Sequence, residues 1–200
     1  MSAQPQPRLT PEQYLEIERA AELRSEFYAG RMYARSGASL PHVVITANLS
    51  RDLGNALEER PCVVASSVLR VRTAPSGLYA YPDVVVFCGE PRFADDRTDT
   101  LLNPVLLIEV LSRSTEAYDR GFKAAQYRTI EMLREYALVS QTEPRVEVFR
   151  RQSSGDWLLS ESVGLGSVCR FESVDCVIPL ARVYRKVTFG GEPEDAAHPA

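Results

Sequence analysis

The sequence predicts a mixed α/β (α+β) fold, a central sheet flanked by helices with further antiparallel strands. Three observations carry that prediction. "PDVVVFC" (82–88) and "VLLIEVL" (105–111) are short runs that are almost wholly apolar, as in strands buried on both faces. Residues 41–59 repeat Ile45, Leu49, Leu53 and Leu57 at helical spacing. A late series, "EYALVS", "RVEVFRR" and "DWLLSES", reads as consecutive strands.

The elements follow in order. Residues 1–8 are polar and proline-rich and predict a flexible tail. Thr10, Pro11 and Gln13 form a capping-box signature for a helix to about Leu23. "SEFYAGRMYARSG" pairs two aromatic-rich runs around Ala29-Gly30 and predicts a hairpin. Residues 41–59 then form the amphipathic helix. "CVVASSVLRVR" (62–72) reads as one strand whose end alternates leucine or valine with Arg70 and Arg72. "PDVVVFC" is a buried strand with Pro82 at its edge. Charged residues 89–103 form a loop before the second buried strand. "SRSTEAYDRG" is a turn, and Asp119 is placed to cap a helix through about Leu133. "CVIPLARVY" makes a last short element against the core. Residues 188–200 predict a second tail, leaving residues 9–187 as one domain.

Composition excludes some functions. The net charge of −4 gives no overall basic field for nucleic acid, although local arginine patches survive such a total. Among basic side chains only Lys123 and Lys186 are lysines. The four cysteines show no CxxC or Cys/His cluster, which argues against zinc. Cys62 and Cys88 read as small core residues, with no disulfide framework. No apolar leader opens the chain and no stretch is long enough to span a bilayer. A reducing, cytoplasmic setting is the resulting expectation.

Glu109 is the residue out of place. An ionised carboxylate leaving water costs several kcal/mol unless something pairs with it. Asp83 is its counterpart at the start of the other buried strand. If the strands are neighbours, both carboxylates meet at one sheet edge, where their repulsion raises a pKa and a divalent cation relieves it. Hard oxygen donors open to water suit Mg2+ or Mn2+. Lys123 follows on the next helix, in reach of Glu109. Metal, two acids and a lysine are the parts of a phosphodiester hydrolase. Each residue also has a plainer role: Glu109 beside an arginine, Asp83 capping a turn, Lys123 on a solvated helix face.

"YPDVVVF", "LLIEVLSRSTEAYDRGFKAAQYR" and "LREYALVS" closely resemble the Uma2 family. The resemblance extends to "LTPEQYLEIE", "SEFYAGRMYARSGAS", "PHVVITANLSRDL" and "RVEVFRR", roughly residues 9–185. It implies a restriction-endonuclease-like PD-(D/E)xK fold and a metal-dependent endonuclease. It also implies Asp83 and Glu109 as metal ligands, with Lys123 as catalytic lysine. Glu26 matches the further acid that joins such sites. The pattern departs from the common spacing: Leu111 stands two residues after Glu109, and the lysine has moved to Lys123 on the following helix. His42, Arg113 and Arg120 are candidate substrate contacts, with Arg70, Arg72 and Arg128 also available to surround the site. DNA is the expected substrate, with RNA as the alternative. A homodimer is expected from the resemblance, with "EYALVS" and "RVEVFRR" as candidate interface strands. Two competing functions remain: a catalytically silent nucleic-acid- or protein-binding module on the same fold, and a two-carboxylate glycosidase, which leaves Lys123 without a role.

Overall fold

The computed structural model describes residues 8–35, 37–73 and 77–189; the two expected tails fall almost wholly outside them. Helix α1 (Pro11–Ala20) begins as expected. Thr10 Oγ1 accepts from the Gln13 N–H while the Gln13 side chain accepts from the Thr10 N–H. The helix stops at Ala20, short of Leu23. Strands β1 (Ser25–Tyr28) and β2 (Arg31–Ala34) form the hairpin. Ala29 and Gly30 both adopt positive φ, 48° and 83°, which suits a two-residue turn to the twist of the strands. Helix α2 (Leu40–Ala56) is capped by Ser39, whose hydroxyl accepts from the His42 N–H. It buries Ile45, Leu49 and Leu53.

The expected strand 62–72 is two strands. β3 (Cys62–Ser66) and β4 (Arg70–Arg72) belong to different sheets, separated by a turn in which Val68 and Leu69 donate N–H bonds to the Ser66 carbonyl. β5 (Tyr79–Ala80) and β6 (Val84–Cys88) follow. β7 (Thr100–Leu101) lies within the segment read as loop. β8 (Leu106–Leu111) is buried at every residue.

The helical segment after β8 differs from expectation. It comprises α3 (Glu116–Tyr118), a π-helical turn (Asp119–Lys123) and α4 (Ala124–Tyr127). Asp119 therefore lies inside the segment and does not cap it, and the helix ends before Leu133. β9 (Glu135–Ser140), β10 (Arg145–Arg151) and β11 (Trp157–Val163) complete the main sheet. β12 (Val168–Phe171) and β13 (Cys176–Pro179) form a separate antiparallel pair, followed by α5 (Leu180–Val183).

The main sheet is mixed, with order β11-β10-β9-β8-β6-β3; the second is β2-β1-β5-β4-β7. β8 and β9 are parallel, and the helical segment is their crossover. One face of the main sheet packs Leu106, Ile108 and Val110 against Ile45, Leu49, Leu53 and the β12–β13 region. The other packs Leu107 and Leu111 against Ala124 and Tyr127. By the two-residue strand period, Glu109 shares this second face with Leu107 and Leu111.

One sequence expectation fails here for reasons of pairing, and another is narrowed. Cys62 and Cys88 are opposite one another in the β3–β6 register and form a disulfide, with sulfurs 1.99 Å apart. They are not separate core thiols, so the reducing-compartment expectation loses that support. β9 and β10 are interior strands, each hydrogen-bonded on both sides, and offer no free edge to a second copy. Among the described residues no helix is long and apolar enough to cross a membrane.

Candidate active site

β6 and β8 pair antiparallel with Val84 opposite Ile108. Continuing that register by one residue sets Asp83 opposite Glu109. The geometry bears this out, because the Val110 N–H donates to Asp83 Oδ2 at 2.8 Å. Asp83 and Glu109 are each 3% exposed, and both line one cavity of about 400 Å³.

The crossover supplies the cation. Lys123 Nζ lies 2.9 Å from Glu109 Oε1, 3.0 Å from Glu26 Oε1 and 3.4 Å from Asp119 Oδ1. Glu26 arrives from β1, Glu109 from β8, and Asp119 and Lys123 from the π-helical turn, four residues apart on one side of it. All four are buried. Two tyrosines close the cluster: Tyr127 donates its hydroxyl proton to Glu109 Oε1 at 2.8 Å, and Tyr118 donates to Glu26 Oε2 at 3.0 Å. Tyr118 stacks on Phe122, which fixes its ring at the cavity wall.

The electrostatics follow from burial. Loss of water pushes the Glu109 carboxyl up to about 8; the Lys123 charge pulls it down, and Asp119 and Asp83 push it further up. Asp119 is raised as well, by burial first. Burial depresses the Lys123 ammonium, but Glu109, Glu26 and Asp119 together outweigh it and the net shift is upward. Tyr118 and Tyr127 are raised by burial and by the carboxylates they serve, so both remain hydrogen-bond donors at neutral pH. The cluster carries more acid than base, and a bound cation would lower the raised carboxyl pKa.

Asp83 has a separate set of partners. His42 Nε2 sits 3.0 Å from its Oδ1, and Arg35 Nη2 lies 3.7 Å from the same oxygen. Arg35 is fixed through a 3.1 Å bond to the Ser67 carbonyl. Ser112, Ser114 and Thr115 form a hydroxyl-bonded turn at the cavity edge.

Of the residues singled out in the sequence, Asp83, Glu109, Lys123, Glu26 and His42 line this cavity. Arg113 is exposed and does not. Arg120 also lies outside the lining: Glu116 at 2.7 Å and Glu147 at 2.6 Å take its guanidinium. Arg70 is buried in an internal network with Thr100, Tyr81 and Asp99 and faces no substrate. Arg35, Tyr118 and the Tyr127 hydroxyl were not read as parts of a site.

Among the described residues, no group of three or more His, Cys, Asp and Glu side chains is arranged to hold a metal ion. A donor set of two carboxylates on adjacent strands still fits Mg2+, which commonly takes one or two carboxylates and keeps several waters. The Tyr127 hydroxyl and the Lys123 ammonium both contact Glu109 Oε1.

Comparison with known proteins agrees with this arrangement at the level of family and fold. The family model "Uma2: Putative restriction endonuclease" matches residues 11–174. The chain is 40% identical over 157 residues to "Uncharacterized protein slr1290" of Synechocystis sp., a match covering 78% of this chain and 80% of that protein. It is 39% identical over 163 residues to "Uncharacterized protein sll1609" of the same organism, covering 82% and 92%. A solved structure from Anabaena variabilis, titled a "putative nuclease belonging to DUF820", superposes with a TM-score of 0.72 at 16% identity, covering 88% of this chain and 97% of that one. At that identity the likeness establishes the fold, a mixed sheet with flanking helices. The chain belongs to the Uma2 family.

Proposed function

We propose that the protein is a Mg2+- or Mn2+-dependent endonuclease that hydrolyses phosphodiester bonds of DNA, with RNA as the second substrate. The observation that carries this reading is the meeting of Asp83 and Glu109 at one cavity beside the Lys123 ammonium. Asp83 and Glu109 would hold the ion. When bound, it would lower the pKa of an attacking water and offset charge on the phosphate.

The chain's own residues do the rest. Lys123, held at a fixed point by Glu26, Glu109 and Asp119, presents a positive charge toward the phosphate oxygens. Tyr127 orients Glu109, and Tyr118 orients Glu26, so neither carboxylate has to reorganise. His42, hydrogen-bonded to Asp83 in the cavity lining, is placed to carry a proton.

The test is incubation of purified protein with plasmid DNA, single-stranded DNA and RNA across Mg2+, Mn2+ and chelator. Metal-dependent cleavage that disappears in Asp83→Ala supports the reading. Absence of cleavage in every combination, or equal cleavage by Asp83→Ala, defeats it. The same polar contacts favour a second reading, a cleavage-silent binding module, since Lys123 and Asp83 already have internal partners. That module predicts partner binding that chelator and Asp83→Ala leave unchanged.

A further inference from the structure

A second basic feature lies outside the cavity, on the same face of the main sheet. α4 follows Lys123, and Arg128 caps its C-terminal end. Arg128 stacks over two rings, 5.4 Å from the Phe149 centroid and 5.8 Å from that of Trp157. Arg151 stacks on Trp157 at 4.9 Å and is its cross-strand partner in the β10–β11 register. Arg134 adjoins them, since its carbonyl accepts the Arg151 N–H at 2.8 Å. Two guanidinium groups thus stack on one indole, and a third arginine adjoins them.

Ion pairs hold several of the chain's arginines, while others, Arg97 and Arg113 among them, have no ion pair among the described residues. Arg19, Arg60, Arg70, Arg120, Arg145 and Arg150 are each within ion-pair distance of a carboxylate. Among the described residues Arg128, Arg134 and Arg151 have no such partner. Arg151 donates instead to the Arg128 and Ile130 carbonyls, at 2.6 and 2.9 Å, and its Nε is buried with no hydrogen-bond partner. Exposed Glu131 adds one negative charge nearby, leaving the patch net positive. Arg151 also feels Arg134 as a like charge, which together with burial lowers its pKa. Like charges held together without an acid cost energy unless an anion neutralises them.

We propose that Arg128, Arg134 and Arg151 form a docking surface for the phosphate backbone of a nucleic-acid strand leading to or from the cavity. This deepens the nuclease reading and rests on it for the identity of the polyanion. The spacing suits a strand. Five residues of helix from Lys123 to Arg128 advance about 7.5 Å. Phosphates of one duplex strand rise about 3.4 Å each along the helix axis, so Arg128 lies within a few phosphates of the lysine and Arg134 and Arg151 lie further along the same path. Such contacts supply affinity and register without reading sequence.

The chain has one tryptophan, Trp157, so its fluorescence reports on this patch alone. The experiment titrates the full chain, in EDTA, with dT20, rU20 and a 20-base-pair duplex. It reads anisotropy of a labelled strand and Trp157 emission together. Arg134→Glu leaves the stacked pair intact and is expected to weaken binding about tenfold; Arg128→Glu/Arg134→Glu weakens it further. The slope of log K against log salt should fall by about one for each arginine removed. Arg97→Glu, at an exposed arginine elsewhere, matches the charge change and should leave binding as it is. Saturating strand should shift Trp157 emission in Asp83→Ala as in the wild type. Equal affinities for Arg134→Glu and Arg97→Glu, or unchanged Trp157 emission on saturation, would overturn the proposal. The outcomes separate the two claims. Cleavage by wild type and Arg134→Glu alike removes the docking surface and keeps the nuclease. Patch-dependent binding without cleavage under any metal does the reverse.

Discussion

Lys123 Nζ stands 2.9 Å from Glu109 Oε1, and both side chains are almost wholly withdrawn from solvent. Removing one member of a buried pair costs about 3–5 kcal/mol, because it strands the other. Here three carboxylates share the lysine. Lys123→Met should therefore lower unfolding free energy in chelator by roughly that amount. Urea denaturation checks it, and an unchanged midpoint would mean the cluster is not built as described.

Tyr127→Phe keeps a buried ring and deletes only the hydroxyl that donates to Glu109. A hydrogen bond to a charged or polar buried group contributes about 1–3 kcal/mol. The variant should lose stability in that range. In the nuclease reading it should also lower kcat more than it raises KM, since it loosens a residue that holds the reacting centre. A pure KM effect would place Tyr127 in substrate binding.

The pH dependence of stability has a definite sign. An unfolded glutamate releases its proton near 4.5, whereas folded Glu109 keeps it to about 8. The contribution of its protonated form is complete below 4.5 and fades as pH rises through about 8. In chelator, the urea midpoint should fall across that window, and Glu109→Gln should flatten the fall. An identical profile in the variant would assign the dependence to other groups.

The Cys62–Cys88 bridge closes a loop spanning 26 positions. Loop closure of that size stabilises by about 3–4 kcal/mol in the chain-entropy account. Alkylation after denaturation without reductant should label only Cys169 and Cys176, the two free thiols. Labelling of all four would show the bridge absent.

Much of the fold was legible because local chemistry and tertiary role agree. Thr10 and Gln13 announce a helix start, Ala29-Gly30 a hairpin, and the apolar runs around Val84 and Leu106 the buried strands. Glu109 was conspicuous because a carboxylate contradicts its apolar neighbours. The misreadings have physical causes. The end of residues 62–72 alternates like a strand continued from the apolar start, yet a turn at Ser66–Leu69 sends the halves to different sheets. The π-helical turn breaks the 3.6-residue period, so Asp119 looked like a cap when it is an ion-pair partner of Lys123. Arg35 and Tyr118 enter the cavity from segments with no periodic signal. The disulfide depends on strand register, which spacing alone does not reveal.

In the nuclease reading Asp83 and Glu109 share one divalent cation. Titration of the purified full chain with Mn2+, followed by electron paramagnetic resonance of the free ion, counts that site without any substrate. One site per chain is expected, lost in Asp83→Ala and in Glu109→Gln and retained in Arg113→Ala. Wild-type binding that survives both acidic substitutions, or no binding by the wild type at millimolar Mn2+, would contradict it.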